Sequence, residues 1–299
     1  LSIWDQLRSL VEDPPPVYAF EVSERGISWA MRGAKRGQAP ELQYRAFSGP
    51  VLEVSPVKDN VLDAEGLSDH VKSLISLNGR RRDAALILPD YCARVAILDF
   101  DSFPSEQSEQ LSLVRFRLKK TVPFDMDAAA VNFQVQKTAD KRVEVLAAAA
   151  AYEIVAKYEA PFRAAGMTPG FSTPSTLATM DLMPTAGLSV LAKLCGHTLT
   201  VAVCDGRHPK LVRCVDLADG TVVEVMSVIF PTIAFAEDEL KRRPERLLAC
   251  GFGERLEDLQ QASVTDLGLT AEPLRTLWGP AQEHNAGLLG WLQAQEMSR

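Results

Sequence analysis

A hairpin signal in each half of the chain constrains the fold more than any single motif. VYAFEVS (17–23) and ISWAMRG (27–33) are apolar runs linked through Glu24-Arg25-Gly26, where the glycine marks a hairpin. TLTVAVC (198–204) and LVRCVDL (211–217) flank Asp205-Gly206, the clearest hairpin signal in the sequence. Each half then closes on a strand and a helix, a hint of a weak internal duplication. The 299 residues suit two domains, each able to bury its own core.

Between the hairpins the periodicity changes repeatedly. LQYRAFS (42–48) is a third strand, and 63–77 is a helix with Leu67, Val71, Leu74 and Ile75 on one face. AALILPD (84–90) and RVAILDF (94–100) are strands. The helix that follows takes N-cap oxygens from Ser105 and Ser108 and carries Arg115, Arg117, Lys119 and Lys120 toward its end, complementing the helix dipole before Pro123 stops it. AVNFQVQ (130–136) and VEVLAAAA (143–150) are strands, and a helix over 151–165 closes on Gly166. A small-residue helix (174–182), the strands LSVLAKL and RLLACGF, and helices at 255–262 and 287–295 complete the series. The chain opens on a short amphipathic stretch with Ile3, Trp4, Leu7, Leu10 and Val11, ended by three prolines.

Composition removes several function classes. With 32 basic against 39 acidic residues the net charge is −7, which argues against nucleic acid as a main partner. The longest apolar stretch, VVEVMSVIFPTIAFA (222–236), falls short of the about 20 residues of a membrane span and contains Glu224 and Pro231. Five unevenly spaced cysteines (Cys92, Cys195, Cys204, Cys214, Cys250) and no visible secretory signal predict a reducing, cytoplasmic setting. Cys195, His197, Cys204, His208 and Cys214 crowd one region without making a metal site. With Gly206-Arg207 as the hairpin loop, Cys214 pairs near Leu199, roughly 16 Å from Cys204 at about 3.3 Å per residue. The pairs Asp99/Asp101 and Asp125/Asp127 read as turn and cap residues. No P-loop, G-x-S-x-G or H-E-x-x-H occurs.

The stretch from Leu86 to Ala149 carries a family resemblance. An apolar strand ending in Pro (Leu86 to Pro89), a second strand (Val95 to Leu98), a helix from Glu106 to Lys120, the pair Pro123-Phe124, the strand Asn132-Phe133-Gln134-Val135 and the alanine-rich Val143 to Ala149 follow one another in the order found in PilM. The chain over about 84–185 resembles that family, the actin-like proteins of type IV pilus assembly, related to FtsA and to the cytoplasmic part of GspL. The resemblance implies a two-domain α/β protein of actin-like, RNase H-like fold with an inserted subdomain in domain I. Domain I would cover 1–170 with an inserted subdomain at about 90–165, and a shortened domain II would cover 171–299, its last helix packing back on domain I.

An intact member holds Mg-ATP between its domains on glycine-rich hairpins, where small side chains let backbone N–H groups approach the phosphates. Against the family's first hairpin, G-φ-D-φ-G, this chain has Ala19-Phe20-Glu21-Val22-Ser23. Glu21 stands for the Asp, Ser23 replaces a close-approach glycine, and Glu24 faces the phosphates with like charge, at a cost of about 4 kcal/mol at about 4 Å. The second D-φ-G falls on Ala192 to Leu194, within one residue, and loses its Asp. Of the third glycine loop only Gly251 and Gly253 remain. The expectation is a chain without ATPase activity, cofactor or metal. By resemblance it is a scaffold peripheral to the inner membrane that grips the N-terminal tail of a PilN-like protein in a groove between the domain I core and its insert, among other assembly-platform proteins. Phe116, Leu118, Pro123 and Phe124 are expected to line or border that groove, with Arg115 and Lys119 as charged contacts. Core packing competes for the apolar ones, and a solvated helix end competes for the basic ones. The alternatives are an ATP-binding switch of the same machinery and the cytoplasmic module of a type II secretion platform.

Overall fold

In the computed structural model, which describes residues 15–32, 37–74, 82–137 and 142–297, the repetition appears as two five-stranded sheets of the same topology. The first is built from β1 (Tyr18–Ser23), β2 (Gly26–Met31), β3 (Glu41–Ala46), β4 (Asp83–Leu88) and β8 (Thr168–Pro174), in the order β3-β2-β1-β4-β8. The second is built from β9 (Leu188–Cys195), β10 (Thr198–Asp205), β11 (His208–Asp216), β12 (Arg246–Cys250) and β13 (Ala271–Pro273), in the order β11-β10-β9-β12-β13. In each, an antiparallel meander is extended by two parallel strands. A third sheet, from β5 (Arg94–Phe100), β6 (Ala129–Lys137) and β7 (Val143–Ala151), has the order β5-β7-β6. A two-stranded ribbon of β14 (Arg275–Thr276) and β15 (Gly279–Pro280) follows β13.

Helices cover both faces of the two large sheets, which explains why strands such as β9 and β10 are apolar on both sides. On the first sheet, Phe20, Val22, Leu86 and Leu88 meet Leu67 and Val71 of α1 (Ala64–Leu74) and Ile154, Tyr158 and Phe162 of α3 (Tyr152–Ala164). On the second, Val190, Ala192 and Leu194 meet Val225, Ile229 and Ile233 of α5 (Val222–Leu240) and Leu259 of α6 (Leu256–Leu267). The remaining faces share α4 (Ser175–Thr179) and α7 (Ala286–Met297). Ala178, Leu288, Trp291 and Leu292 pack on Ala19, Ala85 and Ile87 of the first sheet, while Ala286 packs on Leu191 and Leu248 of the second. Gly290 is needed for this close approach, since a Cβ there would lie 2.0 Å from the Ala178 carbonyl oxygen. The third sheet carries α2 (Gln107–Leu118) on one face, over Leu98, Phe100, Val145, Ala147 and Ala149.

Several sequence expectations are corrected. The first hairpin turns on Glu24-Arg25 alone, and Gly26 opens β2; its Cβ would fall 2.3 Å from the Arg45 carbonyl oxygen, so the glycine serves the approach of β3. Helix α2 starts from Glu106 with no side-chain cap, not from Ser105 or Ser108. A bulge at Val203/Cys204 sets Cys214 opposite Thr200, one residue from the expected Leu199. The insert's own sheet and helix occupy 94–151, while α3 packs on the first sheet and β8 runs past residue 170. The amphipathic stretch at 3–11 and Ile75 lie outside the described residues. Among the described residues, no helix is long and apolar enough to cross a membrane.

Candidate functional site

The two matching hairpins face each other across the space between the large sheets. The first ends on the pair Ser23–Gly26 and the second on Cys195–Thr198, so Glu21 and Lys193 hold corresponding positions two residues before each turn. Their strand neighbours on either side (Phe20 and Val22, Ala192 and Leu194) point into the outer cores. By the period-two rule, Glu21 and Lys193 point inward. The register puts Lys193 where the resemblance implies the second Asp.

Lys193 is the cation of a buried polar cluster. Its Nζ donates to Asp90 Oδ2 at 2.8 Å, and the Lys193 and Asp90 side chains are 2% and 6% exposed. Asp90 stands just after β4 and Pro89, and also accepts from the Thr176 N–H and Oγ1–H, both at 2.6 Å, and from Thr200 Oγ1 at 3.3 Å. Burial alone would push the Lys193 ammonium down. The field of Asp90, reinforced by Glu21, overcomes it and holds the ammonium above its ordinary value. The neighbouring Cys195 and Cys250 thiols are pushed up to about 12, chiefly by burial, and stay protonated.

Glu21 is equally committed. One carboxyl oxygen accepts from Ser175 Oγ and the other from the Leu288 N–H at 2.8 Å. Burial raises its pKa, opposed chiefly by Lys193. An acid raised in the folded state contributes stability that is full below about 4.3, its unfolded value, and is lost as pH rises through the folded value. Glu21→Gln cannot ionise, so its stability relative to the parent should rise as pH climbs above about 4.3, by at most about 1.4 kcal/mol per unit. Urea unfolding at increasing pH checks it, and a constant gap between the two proteins would contradict the raised carboxyl.

The other nucleotide positions have internal uses as well. Ser23 Oγ donates to the Gly26 carbonyl at 2.9 Å, and Glu24 accepts the Val54 N–H at 2.8 Å. The Glu24 carboxylate reaches toward the second hairpin, since a Cβ on Gly196 would lie 3.3 Å from it. Gly251 has φ +83°, and a Cβ there would meet the Leu194 carbonyl oxygen at 1.8 Å, so this glycine serves strand packing. Gly251 and Gly253 border a cavity of about 870 Å³ together with His197, Arg255, Glu283 and Arg25, the last paired with Glu283 at 3.1 Å.

A second concavity of about 150 Å³ lies between the first sheet and the insert. Leu88, Cys92 and Ala93, with Ser172, Thr173 and Pro174 of β8, form one wall; Ala130 and Asn132 of β6 and Ala148 and Ala150 of β7 form the other. Both flanking strands are sheet edges among the described residues: β8 pairs only with β4, and β6 only with β7. The outward ladder groups of both edges are therefore directed away from their own sheets.

None of the six expected partner-binding residues borders this groove, because they belong to the α2 side of the third sheet. Leu118, the last residue of α2, is fully buried on the side of the helix that packs on the sheet. Arg115 is spent on the carbonyls of Met126 and Ala129, at 2.6 and 3.0 Å. Phe124 packs against the same core, while Phe116, Lys119 and Pro123 are exposed. Sequence reasoning missed the small residues of β6 and β7, and it missed Asp90 and Lys193. The available signals were the consecutive alanines of β7, the charge of Lys193 inside an apolar strand, and Asp90 just after the Pro that follows another.

No protein-family model and no curated protein matches the sequence. Solved structures do match. A chain of the PilM–PilN type IV pilus biogenesis complex is 17% identical, with a TM-score of 0.71 over 95% of this chain and 99% of that one. A Bacteroides thetaiotaomicron protein of actin-like ATPase fold and unknown function is 8% identical, with a TM-score of 0.51 over 92% and 94%. The cytoplasmic domain of EpsL, an inner-membrane component of the Vibrio cholerae type II secretion system, is 15% identical, with a TM-score of 0.47 over 78% and 80%. The duplicated sheet topology and the first two likenesses lead to one conclusion: the chain has the actin-like fold, in a form similar to the PilM–PilN structure.

Proposed function

We propose that this chain is a non-catalytic scaffold of type IV pilus assembly that holds the extended N-terminal tail of a PilN-like inner-membrane protein, and is thereby peripheral to that membrane. The observation that carries the reading is the groove between two unpaired strand edges. An extended peptide there gains backbone hydrogen bonds from β6 or β8 and sets alternate side chains against Leu88, Ala130, Ala148 and Ala150. The fold likeness to a structure that contains PilM and PilN supports the choice of partner. Lys193 and the hydrogen-bonded Glu21 support the absence of catalysis, because a like-charged ammonium and an already satisfied carboxyl offer poor company to Mg²⁺.

A second reading, an ATP-binding switch, is favoured by the cavity beside Gly251 and Gly253. Fluorescence anisotropy of a labelled N-terminal peptide of the PilN-like protein, titrated with and without Mg-ATP, separates the two. The scaffold reading expects the same binding curve in both conditions. Binding only with Mg-ATP would establish the switch, and no binding in either would remove the pilus assignment and leave the fold.

A further inference from the structure

The groove has two walls, and the second half of the chain is attached to both. On the first wall, Asp90 lies two residues from the lining residues Leu88 and Cys92, and Thr176 lies two residues beyond the lining Pro174. The Asp90 carboxylate binds Thr176 on one side and Lys193 of β9 and Thr200 of β10 on the other. One carboxylate thus ties the ends of β4 and β8 to the β9–β11 meander.

On the second wall, Lys210 of β11 donates to Glu144 of β7 at 2.6 Å, with both side chains 18% exposed. Glu144 is four and six residues from Ala148 and Ala150 along one strand, so all three share the face that forms the groove. Beside it, Gln136 Nε2 donates to the Pro209 carbonyl at 3.5 Å, and Gln136 pairs with Glu144 across the sheet. The same three-stranded meander therefore grips the core wall through Lys193 and the insert wall through Lys210.

We propose that the second half of the chain acts as a brace that fixes the width of the peptide groove, with Lys210 and Lys193 as positioning residues that touch no peptide. The inference rests on the groove being the peptide site. An extended segment fits only at one wall spacing, and a brace that holds this spacing in the free protein removes the ordering cost from binding. The coupling is reciprocal, so bound peptide tightens the brace.

The test uses the full chain and the labelled PilN-like peptide, with Kd measured for the parent, Lys210→Glu, Glu144→Lys and the double exchange. Each single reversal should weaken binding about tenfold, within the usual range of coupling between sites, and the double exchange should return it to within about threefold of the parent. A charge pair needed only for folding would be followed by melting temperature instead, so both quantities are measured on each variant. Should Lys210→Glu lower the melting temperature, Lys210→Gln gives the same comparison without repulsion. If the parent binds and the single reversals bind equally well, or the double exchange fails to restore affinity, the brace is wrong. If the parent itself does not bind, the groove reading falls first and takes the brace with it.

Discussion

Lys193→Met should cost the chain about 3–5 kcal/mol of stability, read as a lower midpoint in urea unfolding. Methionine nearly matches the volume, so the loss comes from charge rather than from a cavity. It strands the Asp90 carboxylate, 6% exposed, in the space between two sheets. The Thr176 N–H and the two hydroxyl donors remain, which places the effect at the lower end of the range. Asp90→Asn combined with Lys193→Met should recover much of the loss, because the amide oxygen still accepts from Thr176 and no buried charge is left alone. The pH dependence follows from the raised ammonium. A basic group with a raised folded pKa contributes stability that is full below its unfolded value of about 10.4 and is lost only as pH climbs through the folded value. The gap between parent and Lys193→Met should stay open to about pH 10 and should widen rather than close as pH rises from 6, because Lys193 also opposes the burial that raises Glu21; a gap that closed between pH 7 and 9 would mean the ammonium is not held by Asp90.

What could be read from the residues was local. The turn at Glu24-Arg25, the Asp205-Gly206 hairpin, the strand at 84–88 and the stop at Gly166 each depend on a few neighbouring side chains, and each is found in the fold. The order of elements from Leu86 to Ala149 was enough to point to the actin-like plan. The bulge at Lys210 was not legible, since its position depends on how β11 lies on a neighbouring strand. The charged cluster was hidden for a similar reason. Asp90 and Lys193 are separated by 103 positions; alone, Lys193 reads as a blemish in an apolar strand and Asp90 as a turn residue after Pro89. Only the superposition of the two hairpin positions shows that Lys193 stands across from Glu21.

The expected partner residues and the proposed groove lie on opposite faces of the third sheet. Aromatic and basic residues near Pro123 carry more chemistry than a run of alanines, so they drew the expectation. In the third sheet, however, Ala147 and Ala149 lie under α2 with Leu98, Phe100 and Phe133, whereas Ala130, Ala148 and Ala150 border the groove on the opposite face. Val145 and the residues beneath α2 fill the helix side, and the small Ala148 and Ala150 leave the other side approachable. A backbone that is to receive another backbone needs small side chains along its path, as the glycines of nucleotide hairpins do for phosphates.

Ala148→Arg should therefore weaken peptide binding more than about 100-fold, a loss of about 2.7 kcal/mol, while changing stability by no more than about 0.5 kcal/mol. Ala148 sits on the central strand between Val95 and Asn132, so a long charged side chain there crosses the groove between its two walls. Its half-buried position leaves the guanidinium a route to water in the free protein, which keeps the fold intact. Phe116→Ala is the matched control: Phe116 is 65% exposed on the α2 side, and its removal should leave both affinity and stability unchanged. The two variants discriminate because they lie on opposite faces of one sheet. Loss of affinity in Phe116→Ala with none in Ala148→Arg would move the partner to the helix face, where Phe116, Lys119 and Pro123 are exposed, and the strand-edge groove would have to be given up.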